Sequence, residues 1–180
     1  MQICAHLQLK ENGQKNLKSK AKFIYLISPT KINKTFYYDL RKVLKTKKVS
    51  YFQLRLKKIA QNKIIKIANK IKKITRHYNV KLIINDCPYT AKKVQADGCH
   101  LGQSDINIDK ARKILKNKII GITCHNSLKL AKKAIKDNAD YIALGAFNRT
   151  KTKKIKFKAS ISDLKKIRKI SKKPIVVVGG

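Results

Sequence analysis

The stretch Lys81–Asp105, KLIINDCPYTAKKVQADGCHLGQSD, decides the fold. Two short apolar runs, Leu82–Ile84 and Cys99–Leu101, have strand character, and each delivers an acidic residue past its end, Asp86 and Asp105. Pro88–Val94 between them is long enough for about two helical turns. The order is therefore strand, helix, strand, with both acids on one rim. Two carboxylates at the same end of neighbouring parallel strands suit a hard divalent cation, and Mg²⁺ is usually held by one or two carboxylates plus substrate phosphates. Taken singly, either acid reads equally well as the cap of the helix that follows it.

The alternation continues in both directions. Upstream, Phe23–Ile27 reads as a strand, Asn33–Lys45 as a helix, Val49–Leu54 as a strand, and Ile59–Tyr78 as a helix with Ile64, Ile67, Ala68, Ile71 and Ile74 at helical spacing. Downstream, Ile108–Leu115, Ser127–Asn138 and Ser160–Ile170 read as helices, and Lys118–Thr123, Tyr141–Gly145 and Pro174–Val178 as strands. Such a chain builds a parallel sheet with helical crossovers, either doubly wound or a (β/α) TIM-type barrel. Polar residues follow nearly every strand and do not gather at one switch point, which favours the barrel. Residues 1–22, which carry Glu11, Asn12 and Gly13 and then a run of lysines, read as a mobile basic lead-in, and residues 23–180 as a single barrel domain.

Charge is the anomaly of the composition. Forty-five Lys and Arg against nine Asp and Glu give a formal +36 over 180 residues, a balance that ordinarily suggests nucleic acid. The lysines, however, are spread through every predicted helix and loop, and no aromatic residue interleaves with a basic run as a base-stacking platform requires. The expectation is a field that attracts small phosphorylated substrates, with no specific nucleic-acid partner. Cys4, Cys87, Cys99 and Cys124 lack CxxC spacing, which points to reduced thiols and a cytoplasmic setting. A zinc site from Cys99, His100, Cys124 and His125 is disfavoured, because adjacent strand residues point to opposite faces. No apolar run approaches membrane-spanning length.

The second strand ends in Gln53-Leu54-Arg55-Leu56-Lys57, where alternation puts Gln53, Arg55 and Lys57 on one face toward the barrel mouth. An Arg fork and a Lys point charge beside two acids and their cation suit a pyrophosphate, although Lys57 alone reads equally as part of a solvated cluster. His125 is readable as a general base or as a structural residue at a helix start.

INDC at 84–87 and DGCHLGQSD at 97–105 resemble the "ND" and "DGVHLGQ.D" segments of thiamine-phosphate synthases. Gln53, Arg55 and Lys57 are similar to the family's Q-x-R-x-K motif. Gly121-Ile-Thr-Cys-His125 resembles its G-V-S-x-H turn, with Thr123 in place of Ser, and Thr150, Thr152 and Lys153 match its T-x-T-K loop. The resemblance covers residues 23–180 and implies a transferase that joins hydroxymethylpyrimidine pyrophosphate to thiazole phosphate. It implies Mg²⁺ on Asp86 and Asp105, catalytic charge from Arg55, Lys57 and Lys153, and substrate contacts from Gln53, Asn85, Thr123, Thr150, Thr152 and Gly180. No protein nucleophile is needed. A related isomerase branch, the thiazole tautomerases, tends to lack the Gln and the second acid, so Gln53 and Asp105 favour the synthase. A basic, non-catalytic binding protein on a decayed barrel is the reading from a different class.

The sequence also predicts an incomplete barrel, lacking the last strand and helix after Gly179-Gly180. The expected consequences are open edges on the first and seventh strands, weak binding of the thiazole phosphate, and a chain that is poorly stable or self-associates as a homo-oligomer.

Overall fold

The computed structural model describes the backbone of residues 2–7 and, with side chains, residues 23–147 and 157–179. Seven parallel strands form most of a barrel: β2 (Ile24–Ile27), β3 (Val49–Leu54), β4 (Lys81–Asn85), β5 (Gly98–Leu101), β6 (Ile119–His125), β7 (Tyr141–Gly145) and β8 (Ile175–Val178). Between them run α1 (Phe36–Lys45), α2 (Gln61–His77), α3 (Pro88–Lys93), α4 (Ile108–Leu115), α5 (Leu128–Lys136) and α6 (Ile161–Ile170). Each lies within a few residues of its expected range. No described helix is long and apolar enough to cross a membrane.

The lead-in is where the expectation fails. Gln2–Leu7 is a strand, β1, antiparallel to both β2 and β8, and it closes the barrel. Ala5 is paired on both sides, with Ile24 and with Val177. The predicted open edges are therefore covered along these residues, and the stated cause of poor stability and self-association is removed. Ile3, Ala5 and Leu7 alternate with Gln2, Cys4 and His6, a period-two pattern that marks a strand and is overshadowed by the basic run after it.

The strands are buried on both faces, as a parallel barrel requires. Phe52, Leu54, Leu82, Ile84, Leu101 and Ile120 face the helices and pack with Ala68, Ile71, Ala91 and Ala111 in one large cluster. Alternate residues, among them Tyr25, Ile27, Ile83, Tyr141, Ala143 and Val176, fill the interior as a second cluster. Helix starts are set locally. Pro88 occupies the first turn of α3 behind a Cys87 cap, Asn107 caps α4 by accepting from the Lys110 N–H at 2.9 Å, and Ser160 and Asp163 form a capping box on α6. The alternative reading of Asp86 and Asp105 as caps is thereby set aside.

Interior packing depends on glycines, and most directly on Gly121. Gly121 lies opposite Tyr141 in the β6–β7 register, and a Cβ there would overlap the Cζ end of the Tyr141 ring. That ring is held by hydrogen bonds to Tyr25 and His100 and cannot swing away without breaking them. Gly121→Ala is expected to destabilise the chain by about 1–3 kcal/mol through overpacking, measured as a shifted denaturation midpoint. A midpoint unchanged from the parent would show that the ring has room to move.

Candidate active site

Both acids reach the rim at the C-terminal ends of the parallel strands. Asp86 follows β4 directly with a left-handed backbone (φ 65), a conformation that Asp and Asn tolerate better than most residues. Its N–H donates to the His100 carbonyl at 2.7 Å, which ties the turn to β5. Asp105 lies in the turn after β5, where its carboxylate accepts from the Gly102 N–H at 2.6 Å.

The two carboxyl groups lie close enough for Asp105 to act on the Asp86 proton. Burial pushes the Asp86 carboxyl up to about 6, the Asp105 charge and hydrogen bond add to the rise, and Lys57 and Arg55 oppose it. Four residues singled out in the sequence are thus close enough to feel one another's charge. The setting makes the contact more informative. Among the described residues Asp97, Asp137 and Asp140 pair with Lys81, Lys133 and Arg112. Asp86 and Asp105 instead lie beside each other, with Arg55 and Lys57 as the cations that act on Asp86. Two carboxylates sharing a site repel unless a proton or a cation lies between them.

The neighbouring polar groups are equally organised. Gln53, 3% exposed inside the barrel, donates through Nε2 to Asn85 Oδ1 at 3.0 Å, which joins the ends of β3 and β4. Ser28, past β2, accepts from the Arg55 N–H at 2.9 Å and so holds the chain where it leaves β3. Gln103 donates to the Thr123 carbonyl, and this binds the turn that carries Asp105 to the end of β6.

Other expectations meet different outcomes. His125 ends β6 and packs its ring against Phe157 at 4.4 Å. Cys99 and Cys124 belong to the helix-facing core, and burial raises both thiols, Cys124 to about 12. No group of three or more His, Cys, Asp or Glu able to hold a metal occurs among the described residues, so the Cys/His zinc arrangement does not form there. Thr150, Thr152, Lys153 and Gly180 lie outside the described residues. Among the described residues that flank 148–156, Phe157 O accepts from the Ala146 N–H at 3.2 Å and Ala146 O from the Ala159 N–H at 2.9 Å. Gly179, just past β8, has φ 115, and a Cβ there would lie 2.7 Å from the Phe147 nitrogen, so only glycine suits the position.

Sequence reasoning passed over one group. His100 sits inside the barrel with Tyr141 on one ring nitrogen and Thr123 on the other, each at 2.8 Å, and Tyr25 completes the chain at 2.7 Å from Tyr141. Its marker is a histidine in an otherwise apolar strand, where an unpaired polar ring is expensive.

The thiamine monophosphate synthase family model matches residues 24–180. The chain belongs to that family. It is 61% identical over 168 residues to a thiamine-phosphate synthase of Pelagibacter ubique, covering 92% of this chain and 81% of that one. The corresponding protein of Fusobacterium nucleatum is 42% identical over 160 residues, covering 87% of this chain and 77% of that one. Among solved structures, thiamine phosphate pyrophosphorylase from Pyrococcus furiosus superposes with a TM-score of 0.75 at 30% identity, over 92% of this chain and 78% of that one. Family membership carries a transferase activity of the thiamine-phosphate synthase type, and the relatives favour it over the isomerase reading.

Proposed function

We propose that this rim joins hydroxymethylpyrimidine pyrophosphate to thiazole phosphate, with Asp86 and Asp105 as the cation-binding pair. The observation that carries the reading is the carboxylate contact flanked by Arg55 and Lys57. The donor set fits Mg²⁺, being hard oxygen and two carboxylates only, which leaves coordination positions for phosphate oxygens and water. When bound, that ion supplies Lewis-acid stabilisation of charge on the departing pyrophosphate.

The protein's own groups do the rest. The thiazole nitrogen forms a bond to the pyrimidine methylene carbon as the bond from that carbon to the pyrophosphate oxygen breaks, and the electron pair leaves on pyrophosphate. Arg55 and Lys57 on the β3 side stabilise the charge that accumulates there, and Lys153 is assigned the same task from the β7 side. Gln53 and Asn85, already hydrogen-bonded to each other, present their remaining amide groups to the pyrimidine edge. Thr150 and Thr152 are assigned to the thiazole phosphate, with Gly180 supplying a backbone N–H. The direct test is formation of thiamine phosphate from the two substrates with Mg²⁺ present. A well-folded chain that forms none would sink the proposal.

Arg55→Ala is expected to weaken the pyrophosphate-bearing substrate by about 1.5–3 kcal/mol, the worth of a hydrogen bond to a charged group. Binding of the thiazole phosphate should stay near the parent's value. Calorimetric titration of each substrate separates the two, and equal losses would show that Arg55 does not belong to the pyrophosphate half.

A further inference from the structure

The hydrogen-bonded chain Tyr25–Tyr141–His100–Thr123 crosses the barrel interior and ends at the rim beside the turn that carries Asp105. Resting on the assignment of Thr123 to substrate binding, we propose that His100 is a positioning residue: Tyr141 donates into Nδ1, Nε2–H donates to Thr123 Oγ1, and the Thr123 proton is left to donate to a pyrophosphate oxygen.

Two proton arrangements run in a single direction along the three contacts. In one, Thr123 donates to Nε2, Nδ1–H donates to the Tyr141 oxygen, and Tyr141 donates to Tyr25. The Thr123 proton is then spent, and the oxygen turns only lone pairs toward an anion that itself has only lone pairs. In the other, Tyr25 donates to Tyr141, Tyr141 to Nδ1, and Nε2–H to Thr123. This second order pairs the most acidic donor, a phenol, with the best neutral acceptor, an imidazole nitrogen. It also replaces a weak phenol-oxygen acceptor by an alcohol oxygen.

Three structural features hold the groups of this chain in place. The Tyr25 ring stacks on Tyr51 at 5.7 Å, and the Tyr141 ring stacks on His100 at 5.6 Å, so the phenols are held in place. His100 is buried in the barrel interior, where a charged imidazole is disfavoured, so the ring is neutral and its tautomer meaningful. The Thr123 methyl restricts χ1 and so fixes where its hydroxyl oxygen sits. The imidazole thus converts a buried phenol's donor character into an oriented hydroxyl at the rim without touching the substrate.

The test has two arms. In the chain labelled with ¹⁵N at its four histidines, His100 is assigned by loss of its signals in His100→Gln. At neutral pH Nε2 should resonate as the protonated nitrogen and Nδ1 as the lone-pair nitrogen. The reverse pattern would overturn the proposal, and this arm needs no activity. In the second arm, inorganic pyrophosphate with Mg²⁺ is titrated against the parent, Thr123→Val, Tyr141→Phe and the double variant. Thr123→Val should weaken binding about tenfold or more. Tyr141→Phe should weaken it alone yet add nothing in the Thr123→Val background, because both act through one hydroxyl. Multiplying losses, or indifference to Thr123→Val, would overturn the relay. Formation of thiamine phosphate by the parent judges the assigned function separately.

Discussion

Asp86→Asn is expected to lower thiamine phosphate formation at least about a hundredfold, the scale on which removing one preorganised stabiliser of transition-state charge acts. The substitution is chosen for the backbone as well as the charge. Asp86 has φ 65, which Asn adopts readily and Ala does not, so the turn after β4 should survive. Asp105→Asn should do the same through the other carboxylate. Activity of Asp86→Asn within a few-fold of the parent would remove the cation-binding pair from the mechanism.

The same substitution should stabilise the metal-free chain, and the sign follows from the raised carboxyl. Asp86 ionises near 6 when folded and near 3.8 ordinarily, so between these values the folded chain holds the extra proton. Stability from this group is complete at low pH and is lost as pH rises through about 6. Above that pH the folded chain carries two facing charges, which Asn relieves. Thermal melts without metal should therefore show Asp86→Asn melting above the parent at pH 8 and the difference shrinking at pH 4. A parent that melts higher at both pH values would mean the two carboxylates do not oppose each other in solution.

Removing residues 1–7 is expected to have the larger effect on stability. β1 is hydrogen-bonded to β2 and β8 at once, so its loss exposes unpaired backbone on two strands and opens the barrel interior beside Tyr25 and Val176. With each net hydrogen bond worth about 1 kcal/mol, the loss reaches roughly 4 kcal/mol. That corresponds to a melting temperature lower by about 10 °C or more. Ala5→Pro offers a finer version, because Ala5 is the one residue of β1 paired with both neighbours and proline cannot donate. Size-exclusion chromatography should show the shortened chain self-associating. A monomer melting with the parent would mean that β1 is dispensable to the barrel.

The order of elements was legible because parallel strands and their helices have different hydrophobic periods, and each helix carries its own start. Pro88, Asn107 and Ser160 act within one turn of where they stand, so neighbouring residues suffice to read them. Asp86, Asp105, Gln53 and Arg55 were legible for a related reason: the polar ends of apolar strands in a barrel share one rim. The strand at Gln2–Leu7 escaped because its worth lies in partners about 20 and 170 residues away along the chain. A six-residue alternation beside a basic run does not disclose two empty edges that it can fill. Tertiary structure alone decided that Asp86 and Asp105 touch and that Asp86 is raised, since both depend on distance and burial. It alone decided that His100, Tyr141 and Tyr25 form one chain, which requires three strands in register and the space left by Gly121. Periodicity states which face a residue occupies, whereas contact across a barrel depends on the stagger of its strands, and that is set only when the sheet closes.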